Sequence, residues 1–472
     1  MPHRLTLTEM AAKVRARALS PVELVDAHLA RIEKLNPQLN AFVVLLAEEA
    51  RAEAKKAEQR AMSGDPRGPL DGVPVTIKDS FDMAGLPTTC GSRFFRDTPA
   101  AHDSTAVRRL RGAGAIPLGK TNCPEFLGNY ETDNYIIGRT NSPWDPERTP
   151  GGSSGGESAA IASFCSPGGI GSDGGGSIRV PAHCTGIAGL KPTPGRVSAA
   201  GHVPAIAHPG GLLGVGGPMA RNARDVKLLF EVLAGYDTED PFSAPVPLHI
   251  PDLSGLRVGV TEQFYDVPVQ PAIAEAVRKA AREAEGLGFA VEEFQPRGLE
   301  RAPNLWWFFF GQVPARFTQA LIAGREADAH WTGTEFMNKA LAEPEPTAIK
   351  IVENLAVRDK MRAALLREME RFPVLMTPVC GTTAWKHRQR RYQTATKEIG
   401  LFEAMMPATW LNLLGLPGMV IPFDTDENGL PVGIQLVGRP WEEELLLELA
   451  IRLEEARGPF ALPSAWDDGT HD

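Results

Sequence analysis

The segment spanning residues 151–182 constrains the fold most strongly, because two glycine-rich turns occur within one short stretch. Its sequence is GGSSGGESAAIASFCSPGGIGSDGGGSIRVPA. Glycine inside a regular helix or strand costs roughly 0.5–1 kcal/mol relative to alanine. Glycines at this density therefore indicate sharp turns or backbone that approaches a ligand closely. Such turns can point N–H groups into an anion-binding concavity. Each turn also carries a serine, Ser153 in the first and Ser177 in the second.

The composition excludes several classes of function. The net charge is −9 and 43% of the residues are hydrophobic, which argues against a protein that binds nucleic acid or an anionic membrane. The five cysteines are scattered without a CxxC pair, so neither a disulfide framework nor a zinc site is supported. The N-terminus lacks the apolar segment of a secretion signal. The most apolar window, residues 404–423, is interrupted by three prolines, and we predict buried loop and strand there rather than a membrane span. We expect a soluble, cytoplasmic protein.

Helical and β-prone segments alternate along the chain, which is typical of an α/β sheet layered by helices. Residues 1–62 are predicted to form N-terminal helices, one of them over residues 40–62. Residues 63–240 form a core around both glycine-rich turns, residues 241–370 are mainly helical, and residues 371–472 complete the core. Because no compositional shift marks a boundary, we predict a single domain.

The residues around Ser177 provide two requirements of acyl-transfer chemistry. Three consecutive glycines, Gly174, Gly175 and Gly176, precede it and could donate N–H groups to a developing oxyanion about 3 Å away. The serine hydroxyl needs a base to become a strong nucleophile. The candidate base is Lys78, which ends a β-prone run. Its amine ordinarily has a pKa near 10.4, and burial would lower that pKa. Spacing alone leaves open whether this lysine faces the two serines.

Taken together, the motifs of the chain resemble the amidase signature family. GGSSGG and SDGGGSIRVPA occur at the family's interval, and DGVPVTIKD, GKTNCPEF, LNLLGLPGMVIPF and LPVGIQLVGRP match flanking segments. The resemblance spans roughly residues 5–460. It implies the amidase signature fold, a large mixed, mostly parallel twisted sheet with helices on both faces. It also implies an amide hydrolase that needs no metal or organic cofactor.

The resemblance assigns roles to individual residues. The nucleophile falls on Ser177 and the base falls on Lys78. The bridging serine, which sits in an unusual cis peptide arrangement in the family, falls on Ser153. The resemblance assigns the oxyanion hole to the backbone amides of residues 174–177. Such an enzyme forms an acyl-enzyme on its nucleophile and cleaves a carboxamide or an N-substituted aryl or alkyl amide to an acid plus ammonia or an amine.

Three further positions complete the predicted turn. Ser154, Asp173 and Arg179 are expected to support it, the last two by hydrogen bonds or a buried ion pair. Many relatives have threonine, isoleucine or glutamine at the position of Gly174. Glycine there opens space and leaves the shape of the pocket undetermined, but not the chemistry.

Substrate contacts are predicted at four aromatic side chains. The run Trp306-Trp307-Phe308-Phe309-Phe310 is unusual, and core packing is the alternative explanation for it. Tyr130 falls where some relatives that cleave aryl amides place a substrate-contacting tyrosine. The predicted contacts are Tyr130, Trp306, Phe309 and Trp410. Their clustering favours an apolar or aromatic small-molecule amide as substrate.

Two other functions are weighed against the stand-alone hydrolase. One is the glutaminase-type component of a tRNA-dependent amidotransferase, its A subunit, which needs partner chains. The RRIMLG-like run of that component has no counterpart between residues 340 and 400. The other is a non-catalytic binding protein on an amidase scaffold, which predicts a broken triad, whereas all three positions are filled. A homodimer is one oligomeric state open to the chain, and the sequence does not decide it.

Overall fold

A single large sheet organises the protein. The computed structural model describes residues 1–205, 213–461 and 463. The strands within these residues are β1 (Phe42–Leu45), β2 (Pro74–Lys78), β3 (Ile116–Thr121), β4 (Gly168–Asp173), β5 (Ala188–Lys191), β6 (Val215–Ala220), β7 (Arg257–Val260), β8 (Ala290–Glu293), β9 (Val374–Pro378), β10 (Arg391–Gln393), β11 (Glu398–Gly400), β12 (Gly418–Thr425) and β13 (Pro431–Gly438).

Eleven of these strands form one sheet in the order β1-β3-β2-β4-β6-β5-β12-β13-β9-β7-β8, while β10 and β11 pair separately. The α/β class and the large mixed sheet are confirmed. Parallel pairing joins β3–β2–β4 and β9–β7–β8. The remaining neighbours, including the hairpin β12–β13, are antiparallel. The expected parallel pairing therefore holds within these two groups. The edge strand β1 and the middle of the sheet are antiparallel, and in the hairpin a short turn makes β12 and β13 run in opposite directions.

Helices cover both faces of the sheet, as predicted. They are α1 (Leu7–Arg15), α2 (Pro21–Leu39), α3 (Ala47–Ser63), α4 (Thr105–Gly112), α5 (Gly155–Ala162), α6 (Arg179–Thr185), α7 (Ala223–Leu233), α8 (Pro271–Gly286), α9 (Ala302–Trp307), α10 (Val313–Ile322), α11 (Trp331–Leu341), α12 (Ala348–Glu368), α13 (Leu401–Leu414) and α14 (Glu443–Arg457). Successive residues of a strand point to opposite faces. In β12, Met419 and Ile421 pack with α7, α8 and α14, whereas Val420 packs with α6 and α13.

A π-helical turn, Phe308–Gln312, joins α9 to α10 without a break. In this turn the Val313 N–H bonds to the Phe308 carbonyl, five residues back. Pro314 follows at the start of α10 and has no N–H to offer the Phe310 carbonyl. The regular i to i−4 ladder is therefore interrupted at this position, and single π-turns are frequent at functional sites.

Two sequence-based assignments were wrong. The predicted helix over residues 40–62 instead begins with strand β1, and α3 follows it; the strand forms because it pairs with β3 at the sheet edge. The predicted loop at the start of the apolar window 404–423 belongs to helix α13, which contains Pro407. This helix is buried almost all round, so no amphipathic pattern revealed it.

Candidate active site

The candidate site lies where two neighbouring strands end. Lys78 is the last residue of β2, and Ser172 and Asp173 end β4. Because β2 and β4 are parallel neighbours, their carboxyl ends lie at the same edge of the sheet, where ligands of α/β proteins commonly bind. Ser153 directly precedes Ser154, the N-cap residue of α5, and Ser177 lies two residues before α6. The two glycine-rich turns are thus brought to one edge.

The Lys78 amine is surrounded by hydroxyl groups. Its Nζ lies 2.7 Å from Ser153 Oγ, 2.9 Å from Ser154 Oγ and 3.0 Å from Ser172 Oγ. The side chain is fully buried. Asp79, its chain neighbour, forms a 2.7 Å ion pair with Lys120 instead, and no carboxylate among the described residues pairs with Lys78. Burial lowers the pKa of Lys78 to about 8, although nearby cysteines, Asp173 and Glu157 oppose the decrease.

The two serines border the same cavity. Ser177 and Ser153 both line it, and the Gly152–Ser153 peptide is cis, as the resemblance implied. The Ser154 N–H donates to the Ser177 carbonyl over 3.1 Å, which joins the two turns. Within the described part of the chain, no hydrogen bond connects the Ser153 and Ser177 hydroxyls. A proton transfer between them would require the two hydroxyl oxygens to come within hydrogen-bond distance.

A buried ion pair braces the second turn, in line with the expected supporting roles. Arg179 Nη2 lies 2.9 Å from Asp173 Oδ1, and both side chains are fully buried. The guanidinium also donates to Asn412 and Gln435. Burial alone would raise the pKa of Asp173, but the charge and hydrogen bonds of Arg179 and a backbone N–H from Ile178 hold it below its ordinary value.

The three glycines at residues 174–176, which we term the glycine loop, are not equally available as N–H donors to an oxyanion. The Gly176 N–H donates to Asp173 Oδ1 over 2.8 Å, so this amide is occupied and the prediction that it serves the oxyanion hole needs correction. Asp173 captures it because its carboxylate folds over the turn that follows. Across the described residues, the amides of Gly174, Gly175 and Ser177 donate to no acceptor. They remain the candidate oxyanion donors.

Two of the predicted substrate contacts instead hold the glycine loop. The Tyr130 hydroxyl donates to the Gly175 carbonyl, and the Trp306 indole N–H donates to the Gly174 carbonyl, each over 2.8 Å. Both side chains are buried, and neither borders the cavity. They were expected at the substrate because an aromatic residue near a site suggests a pocket wall. Sequence could not show that their polar atoms reach backbone carbonyls.

The remaining two predicted substrate contacts, Phe309 and Trp410, lie at different places in the structure. Phe309 lines the cavity beside Ser177. Trp410, on α13, is buried and borders a different, small hollow with Phe264 and Pro378. It packs in the same apolar cluster as Trp306 and Phe309, and its predicted substrate contact is therefore not made in this conformation.

The cavity at Ser177 has a volume of about 550 Å³ and is largely apolar. Among its described lining residues, Asp173 alone carries a charge, and Arg179 already neutralises it. Burial lowers the pKa of the lining His202 to about 3, which keeps that ring neutral at physiological pH. The apolar lining residues that sequence did not single out as contacts are Phe95, Phe126, Leu127, Pro204, Ala205, Leu213, Val215, Phe310, Val313, Pro314, Ala315, Phe317, Leu321, Phe336 and Met337.

Part of this cavity lining could have been predicted from the sequence. Phe310 and Phe309 are neighbours in the aromatic run, and Phe126 lies within the motif GKTNCPEF. Phe317 and Leu321 lie on α10 at spacings that continue the face beyond the π-turn. Leu213 and Phe336 are far from these positions in the chain, and only the fold brings them together.

The described residues contain no cluster of three or more histidine, cysteine, aspartate or glutamate side chains suited to a metal ion. None of the helices in the described ranges combines the length and apolar character needed to cross a bilayer.

Comparison with known proteins decides the family, because the family model described as Amidase matches residues 23–447. The chain belongs to the amidase family. This amidase is 36% identical to the indoleacetamide hydrolase of Bradyrhizobium diazoefficiens, over 96% of the chain and 86% of that protein. It is 34% identical to the A subunit of glutamyl-tRNA(Gln) amidotransferase from Methylococcus capsulatus, over 96% of the chain and 97% of that protein.

A solved structure agrees with these relatives. The amidase superimposes on a bacterial aryl acylamidase of the amidase signature family with a TM-score of 0.86 and 30% identity, over 96% of each chain. As a member of this family, the protein is an amide hydrolase of the class that acts on linear carbon–nitrogen bonds.

Proposed function

We propose that this amidase hydrolyses an uncharged, apolar carboxamide or N-substituted amide through an acyl-enzyme on Ser177. The observation that carries the proposal is the placement of Lys78. Its buried amine has no carboxylate partner among the described residues, contacts Ser153 Oγ at 2.7 Å, and adjoins a cavity that also exposes Ser177. A lysine with a lowered pKa can act as a base near neutral pH.

The first half of the reaction forms the acyl-enzyme. Neutral Lys78 accepts the proton of Ser153, and Ser153 accepts the proton of Ser177 once that hydroxyl turns toward it. The Ser177 oxygen attacks the amide carbonyl carbon. The resulting oxyanion receives hydrogen bonds from the free amides of Gly174, Gly175 and Ser177. Each such donor typically contributes on the order of 100-fold to 1000-fold in rate.

The second half releases both products. Ser153 returns a proton to the leaving nitrogen, which departs as ammonia or an amine, and Lys78 reprotonates Ser153. Water then enters and gives its proton through the same relay, so that hydroxide attacks the acyl carbon. Collapse of this second tetrahedral intermediate frees the acid and restores Ser177.

The cavity favours an apolar substrate. Its described lining offers aromatic and aliphatic side chains and no unpaired charge. Burying an ion without a partner costs several kcal/mol, so a charged acyl group is disfavoured. Tightly packed phenyl rings suit an aryl or alkyl group instead. We infer that an aromatic or medium-length alkyl amide fills the cavity.

A glutaminase-type amidotransferase component is the second candidate, because a protein of that name matches almost the whole chain at 34% identity. Glutamine carries an α-ammonium and an α-carboxylate, and each needs a partner when buried. The described cavity lining has no free charged side chain for either group. The apolar cavity therefore favours the stand-alone hydrolase over this candidate, and the filled triad positions favour it over a non-catalytic binding protein.

The proposal is tested by measuring hydrolysis of benzamide, phenylacetamide, 4-nitroacetanilide, hexanamide and glutamine by the purified protein. We expect turnover of the apolar amides, loss of nearly all turnover in folded Ser177→Ala and Lys78→Ala variants, and an acyl adduct on Ser177 by mass spectrometry. Full activity in folded Ser177→Ala would contradict the mechanism. Glutamine-dependent ammonia release together with a copurifying partner would favour the amidotransferase component. Light scattering tests the homodimer.

A further inference from the structure

Trp306 and Phe310 form a stacked aromatic pair against the glycine loop. Their ring centroids lie 4.7 Å apart with the planes 16° from parallel. The Trp306 indole N–H donates to the Gly174 carbonyl. A Cβ atom on Gly175 would lie 2.3 Å from Trp306 Cζ2, and one on Gly174 would lie 2.6 Å from Phe310 Cε2. The two rings therefore fill the space that side chains at these positions would occupy.

Because a peptide group is planar, the hydrogen bond from the indole to the Gly174 carbonyl also fixes the direction of the Gly175 N–H. A trans peptide places its C=O and N–H groups on opposite sides. Trp306 holds the Gly174 carbonyl on the indole side, so the N–H of the same peptide, which belongs to Gly175, points away from the indole. The next peptide follows the same rule: the Gly175 carbonyl accepts from Tyr130, while the Gly176 N–H points to Asp173.

We propose that Trp306 is a positioning residue, whose indole N–H aims the Gly175 amide at the oxyanion formed when Ser177 attacks the substrate. This inference rests on the proposed function. Trp306 itself is buried behind the loop and does not line the cavity, so it acts through Gly175 and not on the substrate. Phe310 faces the cavity and holds the indole in place by stacking.

The arrangement also gives a reason for glycine at position 174. Larger residues at this position in many relatives would need the space that Phe310 occupies here. The helix that carries both rings, α9 with its π-turn, and the glycine loop therefore constrain each other's side chains. A residue larger than glycine at position 174 would displace the stack and with it the indole N–H.

The test removes the indole N–H and keeps an aromatic ring at position 306. We expect Trp306→Phe to lower kcat for 4-nitroacetanilide roughly 10-fold to 100-fold with KM nearly unchanged, because a misdirected donor loses part of an oxyanion hydrogen bond. The inhibition constant of phenylacetaldehyde, whose serine adduct resembles the tetrahedral intermediate, should rise by the same factor. Binding of phenylacetamide to Trp306→Phe in a Ser177→Ala background should equal its binding to Ser177→Ala alone.

Trp307→Phe is the matched control. This neighbouring indole donates its N–H to Glu343 over 2.8 Å and does not contact the glycine loop. The substitution is chemically identical on the next residue of the same helix. We expect its kcat and aldehyde affinity to stay within about twofold of the unsubstituted enzyme.

A second replacement covers the case in which Trp306→Phe fails to fold. Benzothienylalanine at position 306 keeps the indole's shape and replaces its N–H with sulfur, and the same loss in kcat is expected. A near-normal kcat in either folded variant, or a change confined to KM, overturns the role of Trp306. An unsubstituted enzyme without amide hydrolysis, or full activity in Ser177→Ala, overturns the proposed function instead.

Discussion

The strongest quantitative prediction concerns the pH dependence of turnover, because only neutral Lys78 can start the relay. Burial lowers the pKa of this lysine from 10.5 to about 8. At pH 7 about one molecule in ten then holds a neutral amine, compared with about one in three thousand at the ordinary pKa. The buried position therefore increases the active fraction by roughly 300-fold, which is a large part of what general-base catalysis requires.

The sign of the pH effect follows directly. Protonation inactivates the base, so kcat/KM should fall about tenfold for each pH unit below 8 and become constant above it. Initial rates with 4-nitroacetanilide from pH 5.5 to pH 10 measure this limb, and circular dichroism confirms that the fold persists. The kcat/KM limb reports the ionisation of the free enzyme, in which Lys78 has the surroundings given above.

A variant sharpens the test. Glu157 is buried, and burial raises its own pKa to about 7; above that pH its charge raises the pKa of Lys78. Its carboxylate accepts hydrogen bonds from Thr76 and Thr121, which an amide oxygen can also accept in part. Glu157→Gln should therefore move the acid limb to lower pH. A limb that stays near pH 10.5, a profile that is flat from pH 6 to pH 9, or a shift to higher pH in Glu157→Gln would refute the reasoning.

Two further predictions concern the second turn. Arg179→Met leaves the Asp173 carboxylate buried without its cation, and we expect a loss of about 3–5 kcal/mol in unfolding free energy by urea titration. The same substitution at the exposed Arg51 is the control. Equal urea midpoints for the two variants would contradict the argument. Gly176 has φ +117°, so Gly176→Ala should cost about 1–3 kcal/mol in unfolding free energy and lower kcat. Gly286→Ala, in open space on a helix, is the control: it should leave kcat unchanged and should not lower the unfolding free energy, because alanine is favoured over glycine in a helix.

The reacting groups could be predicted from the sequence because their motifs combine rare local features. Consecutive glycines before Ser177 and a lysine at a strand end suggest a nucleophile and a base. The contact between Lys78 and Ser153 depends on β2 and β4 being neighbours. Local residue types do not encode strand neighbours, so this contact came from the family resemblance.

Most of the errors share a physical cause, since they concern a partner that is distant in the chain; the occupied Gly176 amide is the exception, because Asp173 lies three residues before it. Strand β1 exists because β3 pairs with it, and α13 is stable because apolar neighbours surround it on all sides. Tyr130 and Trp306 are close to the candidate site, as predicted, but their polar atoms are used by backbone carbonyls. Residue type predicted the neighbourhood of these side chains and not their hydrogen bonds.

The π-turn between α9 and α10 has a consequence for how the substrate range of this enzyme can change. A π-turn holds one residue more than an α-helical turn of the same span. Because the extra residue is accommodated within the turn, its deletion would shorten the turn and leave α10 continuing α9 in nearly the same direction. The change would be confined to the aromatic side chains of the turn, of which Phe309 and Phe310 line the cavity. Because Phe310 also stacks on Trp306, a gain or loss of one residue here would alter the substrate wall and the support of the glycine loop together.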